Sequence, residues 1–97
     1  MARALVVANI RFTDKPHYDR YAEAFPAVFA NSGGQMLAAD EQPQTLVGNG
    51  NGVDKIVVMR FDSEKAARGF LTSPEYVRIA EDRDAGAELT SWILKAF

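Results

Sequence analysis

The chain contains no cysteine and a single histidine, His17. Disulfides, thiolate nucleophiles and cysteine-ligated metals are therefore excluded, and one imidazole cannot form the histidine cluster that holds zinc. Neither a metal site nor a cofactor is expected. Long apolar runs are missing too. Nothing approaches the roughly 18 consecutive apolar residues of a membrane helix, and the N-terminus lacks the basic region, apolar core and cleavage site of a secretion signal. No membrane contact and a cytoplasmic location are the expectation. An excess of positive charge is also absent. With 11 basic against 13 acidic residues and a net charge of −2, the chain cannot neutralise a phosphate backbone, so nucleic acid is not an expected partner.

What is present is an ordinary globular composition, 47% hydrophobic and 25% charged over 97 residues, enough for one hydrophobic core and one domain spanning residues 1–97. Ala4 to Phe12 is nearly all apolar and rich in β-branched residues, which predicts a buried strand. Asp14 is placed to cap a helix, with Pro16 in its first turn. Tyr18, Tyr21, Ala22, Phe25, Val28 and Phe29 recur at helical spacing. Pro26 should kink or divide that helix, and Gly33–Gly34 should end it. Gln35 to Ala39 and Gln44 to Val47 read as two pieces of a broken edge strand around Asp40 and Pro43.

Gly48, Gly50 and Gly52 alternate with Asn49 and Asn51 before an apolar run from Val53 to Phe61. A phosphate-cradling loop would lead into a helix instead, so this is a turn between strands. Ser63 then caps a helix with Ala66, Ala67, Phe70 and Leu71 on one face, and Ser73–Pro74 restart it as far as about Arg83, with Tyr76, Val77 and Ala80 inward. Leu89 to Phe97 is a final strand.

The order is βαββαβ, an α+β ferredoxin-like sandwich: a four-stranded antiparallel sheet with the helical segments on one face. In the first strand Val6, Ala8, Ile10 and Phe12 suit the helix side, as Val57, Met59 and Phe61 do in the third. The opposite set still carries Leu5, Val7, Ile56 and Val58. An aliphatic patch on the uncovered face of a small protein calls for a cover, and a homodimer supplies one.

Taken together, Ala8-Asn9-Ile10, Asp14, Tyr21, Pro26, Gly33-Gly34, Phe61, Ser63, Ala66-Ala67, Ser73-Pro74-Glu75-Tyr76 and Arg83 give the chain a pattern that resembles the DUF1330 family, small proteins of the dimeric α/β-barrel superfamily. The pattern departs at Arg60 and Asp62. The resemblance implies the fold and a dimer pairing as an α/β barrel. It carries no catalytic residues, because the family is uncharacterised in function.

Two polar groupings stand out. If the first and third strands run parallel, Asn9, Arg11 and Arg60 gather at one end and could grip a carboxylate or phenolate. Tyr21, Phe25, Tyr76 and Arg83 come from the helices and would line a cavity between helices and sheet. An inward Arg83 needs a partner, and a bound anion would be one. His17 lies off the apolar stripe and is expected in solvent rather than in catalysis. The expectation is a dimer holding a small apolar or aromatic anion. The alternative is a cofactor-independent enzyme of monooxygenase or isomerase type acting on such a ligand.

Overall fold

The computed structural model describes residues 3–97. Its elements run β1 (Ala4–Phe12), α1 (Lys15–Phe29), β2 (Gln35–Asp40), β3 (Lys55–Phe61), α2 (Glu64–Leu71), α3 (Pro74–Gly86) and β4 (Ala87–Lys95). The four strands form one antiparallel sheet in the order β2-β3-β1-β4. This is the ferredoxin-like arrangement expected from the element order, and the helices lie on one face.

Strand alternation determines what each face presents. Val6, Ala8 and Ile10 of β1 and Val57, Met59 and Phe61 of β3 are buried beneath the helices. They form the core with Tyr18 and Tyr21 of α1, Ala67 and Phe70 of α2, and Tyr76 and Ala80 of α3. On the other face Leu5, Val7, Ile56 and Val58 are only half-buried. The register places Trp92 beside Val7 and Leu94 beside Leu5, extending this apolar patch onto β4.

Three local readings change. Pro26 does not divide α1, which is continuous from Lys15 to Phe29. Gln44 to Val47 is not a strand: once Asp40 has paired with Ile56, β3 has one residue left, so residues beyond β2 have no edge to join, and Leu46 and Val47 stand in solvent. Val77 points outward, 51% exposed, while its neighbour Tyr76 is buried.

Helix ends follow the chemistry of their caps. Ser63 Oγ accepts from the Ala66 amide at 3.0 Å and Ser73 Oγ from the Tyr76 amide at 3.4 Å. Asp14 occupies the N-cap of α1, but its carboxylate bonds His17 Nδ1 at 2.8 Å instead of an amide. The start of α1 is held from elsewhere: the Gly86 carbonyl accepts from the Thr13 and Asp14 amides at 2.9 and 3.0 Å. After α1 the chain turns at Gly33, whose φ of 77° is costly for any residue with a Cβ.

Gly86 packs against the first turn of α1 so closely that an added Cβ would fall on the Tyr18 backbone nitrogen and within 2.6 Å of the Asp14 carbonyl oxygen. Gly86→Ala should therefore lower stability by about 2 kcal/mol or more in denaturant unfolding, since backbone cannot swing aside as a side chain can. Gly69, in α2 with open space around it, is the counterpart: Gly69→Ala should raise stability by about 0.5–1 kcal/mol through helix propensity alone. A neutral Gly86→Ala would contradict this packing.

Candidate functional site

Between the sheet and the helices lies a cavity of about 160 Å³. Its floor is Val6, Ala8 and Ile10 of β1 with Val57 and Met59 of β3, and its roof includes Phe25, Leu71 and three tyrosines, Tyr18, Tyr21 and Tyr76. Exposed lining residues on both edge strands, Met36 and Ala39 on β2 and Ser91 on β4, show it running across the sheet and open at the edges. An apolar cavity of about 150 Å³ accommodates a single benzene-sized ring, which sets the scale of what fits.

The tyrosines are there because α1 repeats an aromatic at each inward turn. Tyr18, Tyr21, Phe25 and Phe29 stack in succession with centroids 5.0–5.7 Å apart, and Tyr76 meets Tyr21 edge-on at 6.1 Å. Their hydroxyls are the site's main polar groups. Tyr21 Oη and Tyr76 Oη are 2.9 Å apart, and Arg83 Nη1 donates to Tyr76 Oη at 2.9 Å. Two hydroxyl hydrogens serve this pair and only one is used between them. Whichever way the bond points, one O–H is left to donate. Tyr18 is 1% exposed, and its hydroxyl has no hydrogen-bond partner among the described residues. Among the described residues no buried side-chain polar atom is both sealed and unpaired, so that hydroxyl keeps some accessible surface, and Tyr18 lines the cavity.

Arg83 lines the cavity but is not the orphan charge expected from sequence. Its Nε and Nη2 both donate to Asp84 Oδ1 at 3.0 Å, its side chain is 19% exposed, and its third nitrogen is the one on Tyr76. Charge balance therefore does not by itself require a bound anion there. Tyr21, Phe25, Tyr76 and Arg83 are brought together as the sequence pattern predicts.

Asn9, Arg11 and Arg60 are not brought together. β1 and β3 are antiparallel, so Arg60 sits opposite Leu5 while Asn9 sits opposite Ile56, and Arg11 and Arg60 lie at opposite ends of the sheet. All three belong to the face turned away from the cavity. Arg60 donates to the Gln35 side chain, and Arg11 makes only an exposed 3.8 Å ion pair with Glu88. His17 lies outside the lining, bonded to Asp14.

One site residue escaped the sequence reading. Lys55 opens β3 on the helix side, lines the cavity, and has its side chain only 13% exposed. Its ammonium rests over the Tyr18 ring at 4.9 Å, and the nearest carboxylate oxygen, Glu41 Oε2, is 3.9 Å away. The available signal was parity: Lys55 shares its face with Val57, Met59 and Phe61. No group of three or more histidine, cysteine, aspartate or glutamate residues that could hold a metal occurs among the described residues. Nor is any helix among them long and apolar enough to cross a membrane.

Burial away from water pushes the Tyr18 phenol up to about 12, with the Glu41 carboxylate adding to the effect. Burial raises Tyr21 further, reinforced by Tyr76. Burial also lowers Lys55, against the pull of Glu41. Because the folded phenols hold protons that the unfolded chain gives up near pH 10, their contribution to stability is complete below about pH 10; that of Tyr18 is lost as pH rises toward 12, and that of Tyr21 later. Lys55 works oppositely, its cost being relieved by about pH 10.5. Tyrosinate absorbance and circular dichroism, followed together through an alkaline titration, should show Tyr18 and Tyr21 un-ionised at about pH 11 and ionising only with unfolding. Full ionisation of all tyrosines near pH 10 with the fold intact would contradict their burial.

The fold has many solved relatives at low identity. A protein of unknown function from Rhodopseudomonas palustris superposes with a TM-score of 0.83 at 17% identity, over 99% of this chain and 83% of that one. A dimeric ferredoxin-like protein of unknown function from Thermobifida fusca gives 0.73 at 15%, over 98% and 92%. SnoaB, a cofactor-independent oxygenase from Streptomyces nogalater, gives 0.72 at 13%, over 100% and 95%. No curated protein matches the chain. At these identities the likeness establishes the fold, whereas the sequence match that assigns a family covers residues 3–97. The chain belongs to DUF1330, a family described as a domain of unknown function.

Proposed function

We propose that the protein is a homodimer that binds a small apolar or aromatic anion in the cavity between sheet and helices. The observation that supports the ligand is an imbalance of hydrogen-bonding groups. Among the described residues, the cavity is walled by aliphatic and aromatic side chains, is bordered by a spare tyrosine O–H, the unpartnered Tyr18 hydroxyl and the Lys55 ammonium, and has no carboxylate in its lining. Hydroxyl and ammonium donors with no carboxylate beside them, in an apolar enclosure, favour a ligand with an apolar body and an oxygen acceptor, best a charged one.

The dimer is supported by the second face. Leu5, Val7, Ile56, Val58, Trp92 and Leu94 form an apolar patch, with Trp92 48% exposed and Leu94 45%. A patch of this kind on a monomer is an interaction surface by default. Relatives of the same fold from Thermobifida fusca and Bacteroides fragilis are described as dimeric. Two copies meeting through these faces would bury both patches.

A catalytic reading draws support from SnoaB, a cofactor-independent oxygenase on the same fold. Among the described residues neither a carboxylate nor an imidazole lines the cavity, so proton transfer would fall to Lys55 or a tyrosine. Binding needs no such step, and the spare donors account for it directly.

Both parts of the proposal have direct tests. Trp92, the single tryptophan, lies in the proposed interface, so dilution through the dimer dissociation range should red-shift its emission. Val7→Lys should give a monomer in sedimentation, and a wild-type chain that is monomeric and folded at micromolar concentration would sink the dimer. For the ligand, calorimetric titration with benzoate should show saturable binding. Ala8→Leu, which places a larger side chain into the cavity floor, should abolish that binding while keeping stability within about 1 kcal/mol. Benzoate binding that survives Ala8→Leu would place the ligand elsewhere.

A further inference from the structure

We propose that Lys55, and not Arg83, is the cation that recognises the ligand's charge, which makes the ligand a single-ring aromatic carboxylate seated with its acid group at the Lys55–Tyr18 corner. This assignment rests on the ligand-binding reading above and gives that site its charge selectivity.

The two cations of the cavity are in opposite states. All three guanidinium nitrogens of Arg83 have partners, two on Asp84 and one on Tyr76. Its guanidinium is a fixed strut that fixes where the Tyr76 and Tyr21 hydroxyls sit. Lys55 has the reverse arrangement. Its ammonium has three N–H donors, and none makes a hydrogen bond among the described residues. Glu41, at 3.9 Å, is beyond hydrogen-bond reach of Lys55 and is also drawn to Lys15 at 3.5 Å, which is itself bonded to Asp19 at 2.9 Å.

A half-buried ammonium over an aromatic face, short of acceptors, is where an incoming carboxylate gains most. It replaces little water and satisfies donors that have nothing better. Tyr18, whose ring carries the ammonium, brings its unpartnered hydroxyl to the same corner of the cavity. The ring of the ligand would then lie on Ala8 and Val57, in a space matched to one ring.

Calorimetric titrations with benzoate and its neutral isostere benzamide test this. Wild-type protein should prefer benzoate by about tenfold or more. Lys55→Met should remove that preference by weakening benzoate at least about tenfold while leaving benzamide little changed. Arg83→Met should keep the preference even where both affinities fall. Glu41→Gln, an exposed change outside the core, removes the rival for Lys55 and should tighten benzoate; it serves also if Lys55→Met folds poorly. The assignment is overturned if Lys55→Met keeps the preference, if Arg83→Met abolishes it, or if Glu41→Gln leaves benzoate unchanged or weaker. Wild-type protein that binds neither probe overturns the ligand-binding reading itself, and this assignment with it.

Discussion

Side chains on β1 and β3 alternate between two apolar sets that point in opposite directions, and the helices of this chain cover only one of them. β1 is the middle of the constraint, because it pairs with β3 on one side and β4 on the other. Its Val6, Ala8 and Ile10 are sealed under the helices, while Leu5 and Val7 face the other way beside Val58, Trp92 and Leu94. The covered face must be roofed by helices long enough to span four strands, and the other face keeps an apolar patch with Trp92 and Leu94 exposed. The cavity and the exposed apolar patch are thus two consequences of one pattern of alternation.

The roof does not pack down solidly on the sheet. α1 presents a ladder of aromatic rings, and rings held at stacking and edge-on distances act as spacers that keep the helix off the small residues beneath. Ala8 on the floor and Ala22 and Ala39 at the sides leave the space those rings do not fill. Three of the rings bordering that space carry hydroxyls. Burying a hydroxyl costs stability unless it is bonded, which explains why Tyr21, Tyr76 and Arg83 are linked in series. The series fixes the rings but cannot use every hydrogen, and Tyr18 stands outside it. A cavity built this way is walled by aliphatic and aromatic side chains and bordered by three phenols and the Lys55 ammonium.

Similarity of fold does not choose a chemistry here. The relatives include proteins of unknown function and a cofactor-independent oxygenase, on scaffolds that superpose well at identities of 17% and below. What this chain offers is the content of its own cavity: three phenols, an arginine paired with Asp84, and a lysine whose nearest carboxylate oxygen is 3.9 Å away.

Local chemistry was legible in the residues themselves. The β-branched run of β1, the aromatic stripe of α1, the serine caps of α2 and α3 and the inward placement of Tyr21, Phe25, Tyr76 and Arg83 all follow from periodicity and capping, which act over a few residues. Strand direction does not, and it decided that Arg11 and Arg60 lie at opposite ends of the sheet. Nor does partner availability, which left Gln44 to Val47 outside it. Lys55 falls between the two: its parity in β3 was readable, but that its ammonium lies over Tyr18 with Glu41 beyond hydrogen-bond reach at 3.9 Å depends on where α1 and the segment after β2 settle. Sequence alone determined the elements and which face of each is apolar, because those properties are carried by neighbours along the chain. Only the tertiary structure decided which charges are closely paired and which are not, because pairing is set by distances between residues tens of positions apart.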